Sequence, residues 1–156
     1  MSSSDSATRS LPVLSLRAAE IASAAAQKKA QEIGIDFNIA IVDATLNLVH
    51  FVRQPTAKLT SIQISIDKAF TAAGHRQPTS AYKHANFLPG GPAYGIHNSN
   101  GGRFMLIGGG VPIKIDGQVV GAVGVSTGTP AQDEEVALAG VKAVDEWVKK
   151  RQGPKL

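Results

Sequence analysis

The architecture of this chain is clearest in GGGVPIKIDGQVVGAVGVS, the stretch from Gly108 to Ser126. Two apolar segments, 111–115 and 119–126, flank the dipeptide Asp116-Gly117. Asp-Gly favours a type I′ turn, whose twist matches that of a two-residue antiparallel hairpin. The stretch therefore predicts two paired strands, and the glycines at its start predict a tight bend that only glycine fits.

The segments before this hairpin predict another hairpin between helices. Ser15 can cap an Ala-rich helix over 16–33, which Gly34 ends. Alternating apolar residues then predict strands, and helical spacing predicts two more helices and a long loop. The predicted strands are 37–42, 46–53 and 103–107, the predicted helices are 60–73 and 79–86, and the loop is 88–102.

A last helix is predicted after the second hairpin. Thr129 supplies an N-cap, Pro130 the first helical position and Gln132 a capping box, so the helix begins here and runs to about Lys150. The order α-β-β-α-α-β-β-β-α favours an α+β fold over a doubly wound parallel sheet. We predict a disordered polar tail over 1–12, one domain over 13–150 and a C-terminal tail over 151–156.

The composition is that of a folded chain. Of 156 residues, 43% are hydrophobic and 18% charged, which is far from the balance of a disordered protein and suits one domain. The chain has no cysteine, which excludes disulfides, thiolate metal sites and a cysteine nucleophile. No secretory signal or membrane-spanning apolar run is visible, so we expect a cytoplasmic protein without a membrane partner.

Glycine and charge are concentrated in the middle of the chain. Twelve of the sixteen glycines lie between Gly90 and Gly128, and no Asp or Glu occurs between Asp67 and Asp116. We interpret this acid-free gap, the source of the formal charge of +4, as a pocket for a small anion; solvated surface is the alternative. Its basic residues are isolated, whereas a nucleic-acid binder clusters them among aromatics, so no nucleic-acid partner is expected. The gap contains Lys68, His75, Arg76, Lys83, His84, His97, Arg103 and Lys114.

Short catalytic and nucleotide-binding motifs do not fit these residues. The glycines at 108–110 lead into Val-Pro, whereas a phosphate loop leads into Lys-Ser/Thr at the start of a helix. His75, His84 and His97 are separated by nine and thirteen residues, which matches no helical ligand pair, so no metal site is predicted. Each can be a haem ligand, a general acid or base, or a surface histidine. No Gly-x-Ser-x-Gly elbow occurs.

Several segments occur together in one order. They are Leu14-Ser15-Leu16 opening the first helix, Ile41-Val42-Asp43, Lys68-Ala69 before Arg76-Gln77-Pro78-Thr79, Asn100-Gly101-Gly102, Gly108 to Ile113, and Val120 to Ser126 with Gln132-Asp133 following. Together they resemble the GlcG/HbpS-like family, which includes the C-terminal domain of PduO-type proteins. The likeness is collinear from Leu14 to about Val144.

The resemblance implies a single α+β domain with a five-stranded antiparallel sheet, helices packed on it, and assembly into dimers or larger homo-oligomers. Some family members bind or degrade haem, so haem is the cofactor to test, and no other is implied. Two features depart from the family pattern: no histidine precedes His50, and Ala44-Thr45-Leu46-Asn47 stands where the first hairpin usually has glycines. The family's shared positions in the acid-free gap are Lys68, Arg76, Asn100, Gly101, Gly102, Gly108, Gly109 and Gly110.

Three functions remain open. The first is binding of haem or another small, carboxylate-bearing anion between helix 60–74 and the glycine-rich hairpin. Lys68, Arg76 or Arg103 would face its carboxylates. One of the histidines His75, His84 or His97, a tyrosine such as Tyr94, or a hydroxyl would bind iron. The second is a cofactor-independent isomerase, lyase or cyclase, with Tyr94, His84 or His97 in acid–base roles and an arginine holding an oxyanion. The third is an oligomeric scaffold with no active pocket.

Overall fold

Seven helices and strands lie in residues 6–153, the part of the chain that the computed structural model describes. In chain order they are α1 (Leu16–Ile33), β1 (Asn38–Asp43), β2 (Leu48–Arg53), α2 (Ser61–His75), β3 (Gly110–Ile115), β4 (Gln118–Ser126) and α3 (Pro130–Gln152). The long connection between α2 and β3 contains four short 3-10 turns, at Thr79–Tyr82, Ala85–Phe87, Ile96–Asn98 and Asn100–Gly102.

Local sequence signals place both ends of α1, the start of α3 and the turn between β3 and β4 as predicted. The Ser15 hydroxyl accepts from the Ala18 N–H at 3.1 Å, and Gly34 ends α1 in the left-handed conformation. Thr129 and Gln132 form the predicted capping box at the start of α3. Asp116 and Gly117 have φ angles of 50° and 77°, the positive values that a type I′ turn requires.

The sheet has the strand order β2-β1-β4-β3, and all neighbouring strands are antiparallel. Side chains alternate across it, so Ile39 and Ile41 face one core while Ala40 and Val42 face another. Helices α1 and α3 cover the first face together, and α2 covers the second alone. The molecule is therefore a three-layer α+β sandwich.

Small residues let α2 lie directly on the sheet. Gly124 of β4 stands between Ala40 of β1 and Gly110 of β3 in the strand register. A Cβ on Gly124 would overlap the backbone carbonyl of Ser65, and one on Gly110 would overlap that of Lys68. These glycines therefore permit close packing between a helix and the sheet.

The prediction of a five-stranded sheet is wrong. Within residues 6–153 the sheet has four strands, and the element order is α-β-β-α-β-β-α. Segment 103–107 forms no strand, because the Met105 N–H donates instead to the hydroxyl of Thr71 on α2, at 2.8 Å. The predicted helix over 79–86 is likewise replaced by two 3-10 turns.

The outer edge of β3 also disfavours a fifth strand. The Gly109 carbonyl accepts from the Val125 N–H on β4, so Gly110 presents its N–H to the opposite side, where the Thr79 hydroxyl accepts it at 2.9 Å. Pro112, two residues further on, has the same orientation and no N–H. Along the N-terminal half of this edge, one donor is therefore already bonded and the next is missing.

The predicted tails lie partly outside the described residues, which exclude 1–5 and 154–156. Residues 6–12 contain no helix or strand, and α3 extends to Gln152. The Leu14 N–H donates to the Val120 carbonyl at 2.9 Å and fixes the chain just before α1. The division into two tails and one domain stays a prediction. None of the helices in this part of the chain combines the length and apolar character that crossing a membrane requires.

Candidate functional site

An apolar pocket lies beside the C-terminal half of α2. Its volume is about 210 Å³. The exposed ring of His75 lies at its edge, with centroids 5.2 Å from the ring of Phe104 and 5.6 Å from that of Tyr82. We call this the His75 pocket, and its walls are Leu46, Phe70, Thr71, Gly74, His75, Asn100 and Phe104.

A larger, basic cleft adjoins the His75 pocket and shares Leu46 and Gly74 with it. It has a volume of about 640 Å³. Arg9, Arg76 and Lys114 line it, and among residues 6–153 no acidic side chain does. We call it the basic cleft. An aromatic pocket with an imidazole thus opens beside a cleft with three cations.

Backbone strain is concentrated at these two cavities. Within residues 6–153, five non-glycine residues have positive φ, and three of them line the cavities: Leu46 at 68°, Arg76 at 61° and Asn100 at 53°. A bulky residue in the left-handed region costs about 1 kcal/mol or more, and such strain clusters at functional sites. This clustering identifies the two cavities as the candidate site.

Arg103 is held beside the His75 pocket. Its Nε donates to the Asp67 carboxylate at 2.9 Å, and its guanidinium lies 3.9 Å from the centre of the Phe70 ring. Because Phe70 is a wall of the pocket, Arg103 braces that wall, and its charge is already paired.

Lys68 lies inside the protein rather than in either cavity. Its ammonium donates to Asp133 on α3 at 2.7 Å and to the Val125 carbonyl at 3.0 Å, and its side chain is 1% exposed. Burial lowers the pKa of Lys68 and raises that of Asp133, while the bond between them opposes both shifts. This pair joins the two helical layers at the end of the sheet.

The three glycines at 108–110 are buried, Gly109 against this pair and Gly110 against the backbone of α2. A Cβ on Gly109 would lie 2.7 Å from the Cβ of Asp133 and 2.9 Å from the ammonium of Lys68. Protein atoms therefore occupy the space between α2 and the hairpin where sequence reasoning placed a ligand. Gly101 and Gly102, by contrast, are exposed in the 3-10 turn that carries Asn100 to the His75 pocket.

The residues considered for acid–base chemistry lie in the connection between α2 and β3. The rings of Tyr94 and His97 are in contact, with centroids 5.9 Å apart. His84 is exposed at the start of the turn Ala85–Phe87, and its side chain makes no hydrogen bond within residues 6–153. The structure thus pairs Tyr94 with His97. No group of three His, Asp or Glu side chains in this part of the chain could hold a metal ion.

Sequence reasoning did not select Arg9, Leu46 or Lys114 as site residues. Arg9 lies in the predicted N-terminal tail, yet residues 9–12 form one wall of the basic cleft. Lys114 had a signal, its place in the acid-free gap. Leu46 had one too, since it stands where the first hairpin of the resembled family usually has glycine, and its positive φ is one that glycine adopts freely.

Comparisons with known proteins agree with the resemblance. The family model for "Haem degrading protein HbpS-like" matches residues 14–142. A 15.0 kDa protein from the dhaT-dhaS intergenic region of Citrobacter freundii is 37% identical over 130 residues, covering 83% of this chain and 91% of that protein.

Two crystal structures share the fold. Protein ORFY of Klebsiella pneumoniae has a TM-score of 0.87 at 33% identity, covering 90% of this chain and 96% of that one. A complex of PduOC with haem has a TM-score of 0.79 at 29% identity, covering 84% and 94%. The chain therefore belongs to the haem-degrading, HbpS-like family.

Proposed function

We propose that this protein binds haem, or another small molecule bearing carboxylates, across the His75 pocket and the basic cleft. The observation that carries the proposal is the clustering of strained residues where an aromatic, imidazole-bearing pocket meets a cationic cleft. Energetically unfavourable backbone conformations persist where the surrounding structure and the function require them.

The residues fit haem chemically. Phe70, Phe104 and Leu46 supply apolar surface for a porphyrin, and the His75 imidazole is a ligand that haem iron accepts from proteins. Arg76 lies where a cation could meet a propionate at the shared wall. Bound haem would supply an iron centre that takes nitrogen ligands. The haem in the complex of the family member PduOC supports the choice of this ligand.

A haemin titration followed by absorbance tests the proposal. We expect a shift of the Soret band at micromolar wild-type protein and loss of that shift in His75→Ala. The matched control is His84→Ala, which removes an exposed histidine outside both cavities and should leave the shift intact. No shift in wild-type protein would exclude haem, and an intact shift in His75→Ala would exclude His75 as the iron ligand.

The contact between Tyr94 and His97 favours a second candidate, a cofactor-independent isomerase, lyase or cyclase. Thermal-shift screening with small carbonyl and carboxylate compounds tests it, since a ligand specific for the native state raises the melting temperature. Stabilisation that is lost in His97→Ala but kept in His75→Ala would support this candidate. If no compound and no haemin stabilises the protein, the scaffold without an active pocket remains.

Homo-oligomeric assembly and a cytoplasmic location stay predictions. Light scattering of the purified chain tests the oligomeric assembly.

A further inference from the structure

We infer that Arg9, Arg76 and Lys114 form a subsite for a doubly anionic group, either two carboxylates of one ligand or a phosphate, and that Arg9 brings the N-terminal segment into ligand binding. The inference rests on the proposed function for the location of the ligand. It adds the charge of the bound group. It also adds two binding residues, Arg9 and Lys114, which are far from α2 in sequence but line the same cleft.

Three separate parts of the chain bring the cations together. Arg9 comes from the segment before α1, Arg76 from the left-handed C-cap of α2, and Lys114 from β3. None of the three forms a salt bridge with an acidic side chain within residues 6–153. Cations that share a cleft without acids in its lining raise the local potential and attract anions.

The neighbouring acids are directed elsewhere. Asp43 and Asp116 are next in sequence to the lining residues Ala44 and Gly117, but neither lines the cleft. The Asp43 carboxylate accepts from the N–H and the hydroxyl of Thr45 in its own turn. Asp116 lies on the wall of a different cavity, beside α3, which Lys114 also borders. Within residues 6–153 the lining of the cleft itself therefore carries cationic and no anionic side chains.

The backbone of Arg76 gives a second reason. A helix C-cap with φ of 61° is a position where glycine is the usual residue, because glycine has no steric penalty there. Arg76 adopts this conformation despite the steric penalty. It lines the cleft together with Leu46, which also has a left-handed backbone. A planar guanidinium is suited to two oxygen atoms of a carboxylate or phosphate.

The N-terminal segment is attached at one end. Leu14 is buried and its N–H is bonded to Val120, whereas 9–13 are exposed and make no backbone hydrogen bond within residues 6–153. Arg9 therefore contributes charge from an exposed segment that has no backbone hydrogen bonds of its own to the described part of the fold. Neutralising Arg9 should change ligand binding and leave the fold unchanged.

Metal-free protoporphyrin IX and its dimethyl ester test the inference, because they differ in two carboxylates and contain no iron for His75 to bind. Fluorescence titration of the full chain should show the diacid bound at least 10-fold more tightly than the ester. Arg9→Ala and Lys114→Gln should each lower that preference by about 3- to 10-fold, the range for charged hydrogen bonds discounted for solvent screening. Arg17→Ala, which removes an exposed cation on α1 outside both cavities, is the control and should keep the preference.

Inorganic pyrophosphate distinguishes a phosphate ligand from a dicarboxylate. If it raises the melting temperature of wild-type protein but not of Arg9→Ala, the subsite accepts phosphates, and this result stands even if haemin does not bind. If haemin binds through His75 and neither the diacid preference nor pyrophosphate stabilisation depends on Arg9 and Lys114, the inference is overturned while the proposed function survives. A wild-type protein that shows no diacid preference and no pyrophosphate stabilisation also overturns it.

Discussion

Replacing Lys68 with Met should strongly destabilise the native state, because the carboxylate of Asp133 would remain buried without its cation. The two side chains are 1% and 2% exposed and 2.7 Å apart. Removing one partner of a buried ion pair costs about 3–5 kcal/mol. In a domain of this size 1 kcal/mol corresponds to roughly 2–4 °C, so the melting temperature should fall by roughly 6–20 °C.

The charge on Asp133, rather than the lost lysine alone, should account for most of this loss. In wild-type protein the Asp133 carboxylate accepts a hydrogen bond from the Gly128 N–H at 2.9 Å. An asparagine at this position keeps an oxygen that can accept this bond but has no charge. Lys68→Met with Asp133→Asn should therefore recover at least half of the free energy lost in Lys68→Met. Lys149→Met is the control, since that lysine is also 2.7 Å from an aspartate but lies in solvent, and little change is expected.

Urea denaturation at several protein concentrations measures these free energies and separates folding from association. Loss of less than about 1 kcal/mol in Lys68→Met, the range of exposed pairs, would refute the reasoning. So would a double variant whose loss equals the sum of the two single losses, because partners in one buried pair must be coupled.

The pH dependence of Lys68→Met follows from the same burial. Burial raises the pKa of Asp133 above its ordinary 3.8. Between 3.8 and that raised pKa the native state binds more protons at this site than the unfolded chain, so its contribution to stability grows as the pH falls. Without Lys68, whose cation favours the ionised carboxylate, the pKa should rise further. The loss of unfolding free energy in Lys68→Met relative to wild-type protein should thus become smaller as the pH is lowered from 7 to about 5. A loss that becomes larger over this range would contradict the reasoning.

The other predictions concern packing and capping. Gly124→Ala should cost about 3 kcal/mol or more, because its Cβ would overlap α2. Gly74→Ala, within α2 and nearest to the flexible Leu46 side chain at 3.3 Å, should be neutral or stabilising by up to about 1 kcal/mol. Equal melting temperatures for these two variants would contradict the packing argument. Thr129→Ala should cost about 1 kcal/mol through loss of the capping box, and Thr129→Ser should not; calorimetry compares the pair.

Local sequence was sufficient at the ends of α1, at the start of α3 and at the β3–β4 turn, where a local hydrogen bond or φ angle fixes the structure. Ser15, Gly34, Thr129 and the pair Asp116-Gly117 each act within a few residues of themselves, and all four signals agree with the structure. The apolar segment 103–107 has the composition of a strand, but a strand also needs a free edge. At the outer edge of β3 the Gly110 N–H is bonded to Thr79 and Pro112 has no N–H. Within the segment, the Met105 N–H donates to the Thr71 hydroxyl instead of to a strand.

For the candidate site, the sequence located the region but not the contacts. The acid-free gap contains His75, Arg76 and Asn100, which the structure gathers around two adjoining cavities. It also contains Lys68, whose charge is neutralised by Asp133, 65 residues away in sequence. No pattern within the gap can show whether a lysine faces a ligand or a distant carboxylate.

The helix caps, the hairpin turn and the family can be read from the residues, because each depends on neighbours in sequence or on a collinear pattern. The number of strands, the burial of the Lys68–Asp133 pair, the filling of the space beside Gly109 and the place of Arg9 depend on which elements meet across the sheet. Those contacts form between distant segments, so their energies enter only once the helices have packed on the two faces.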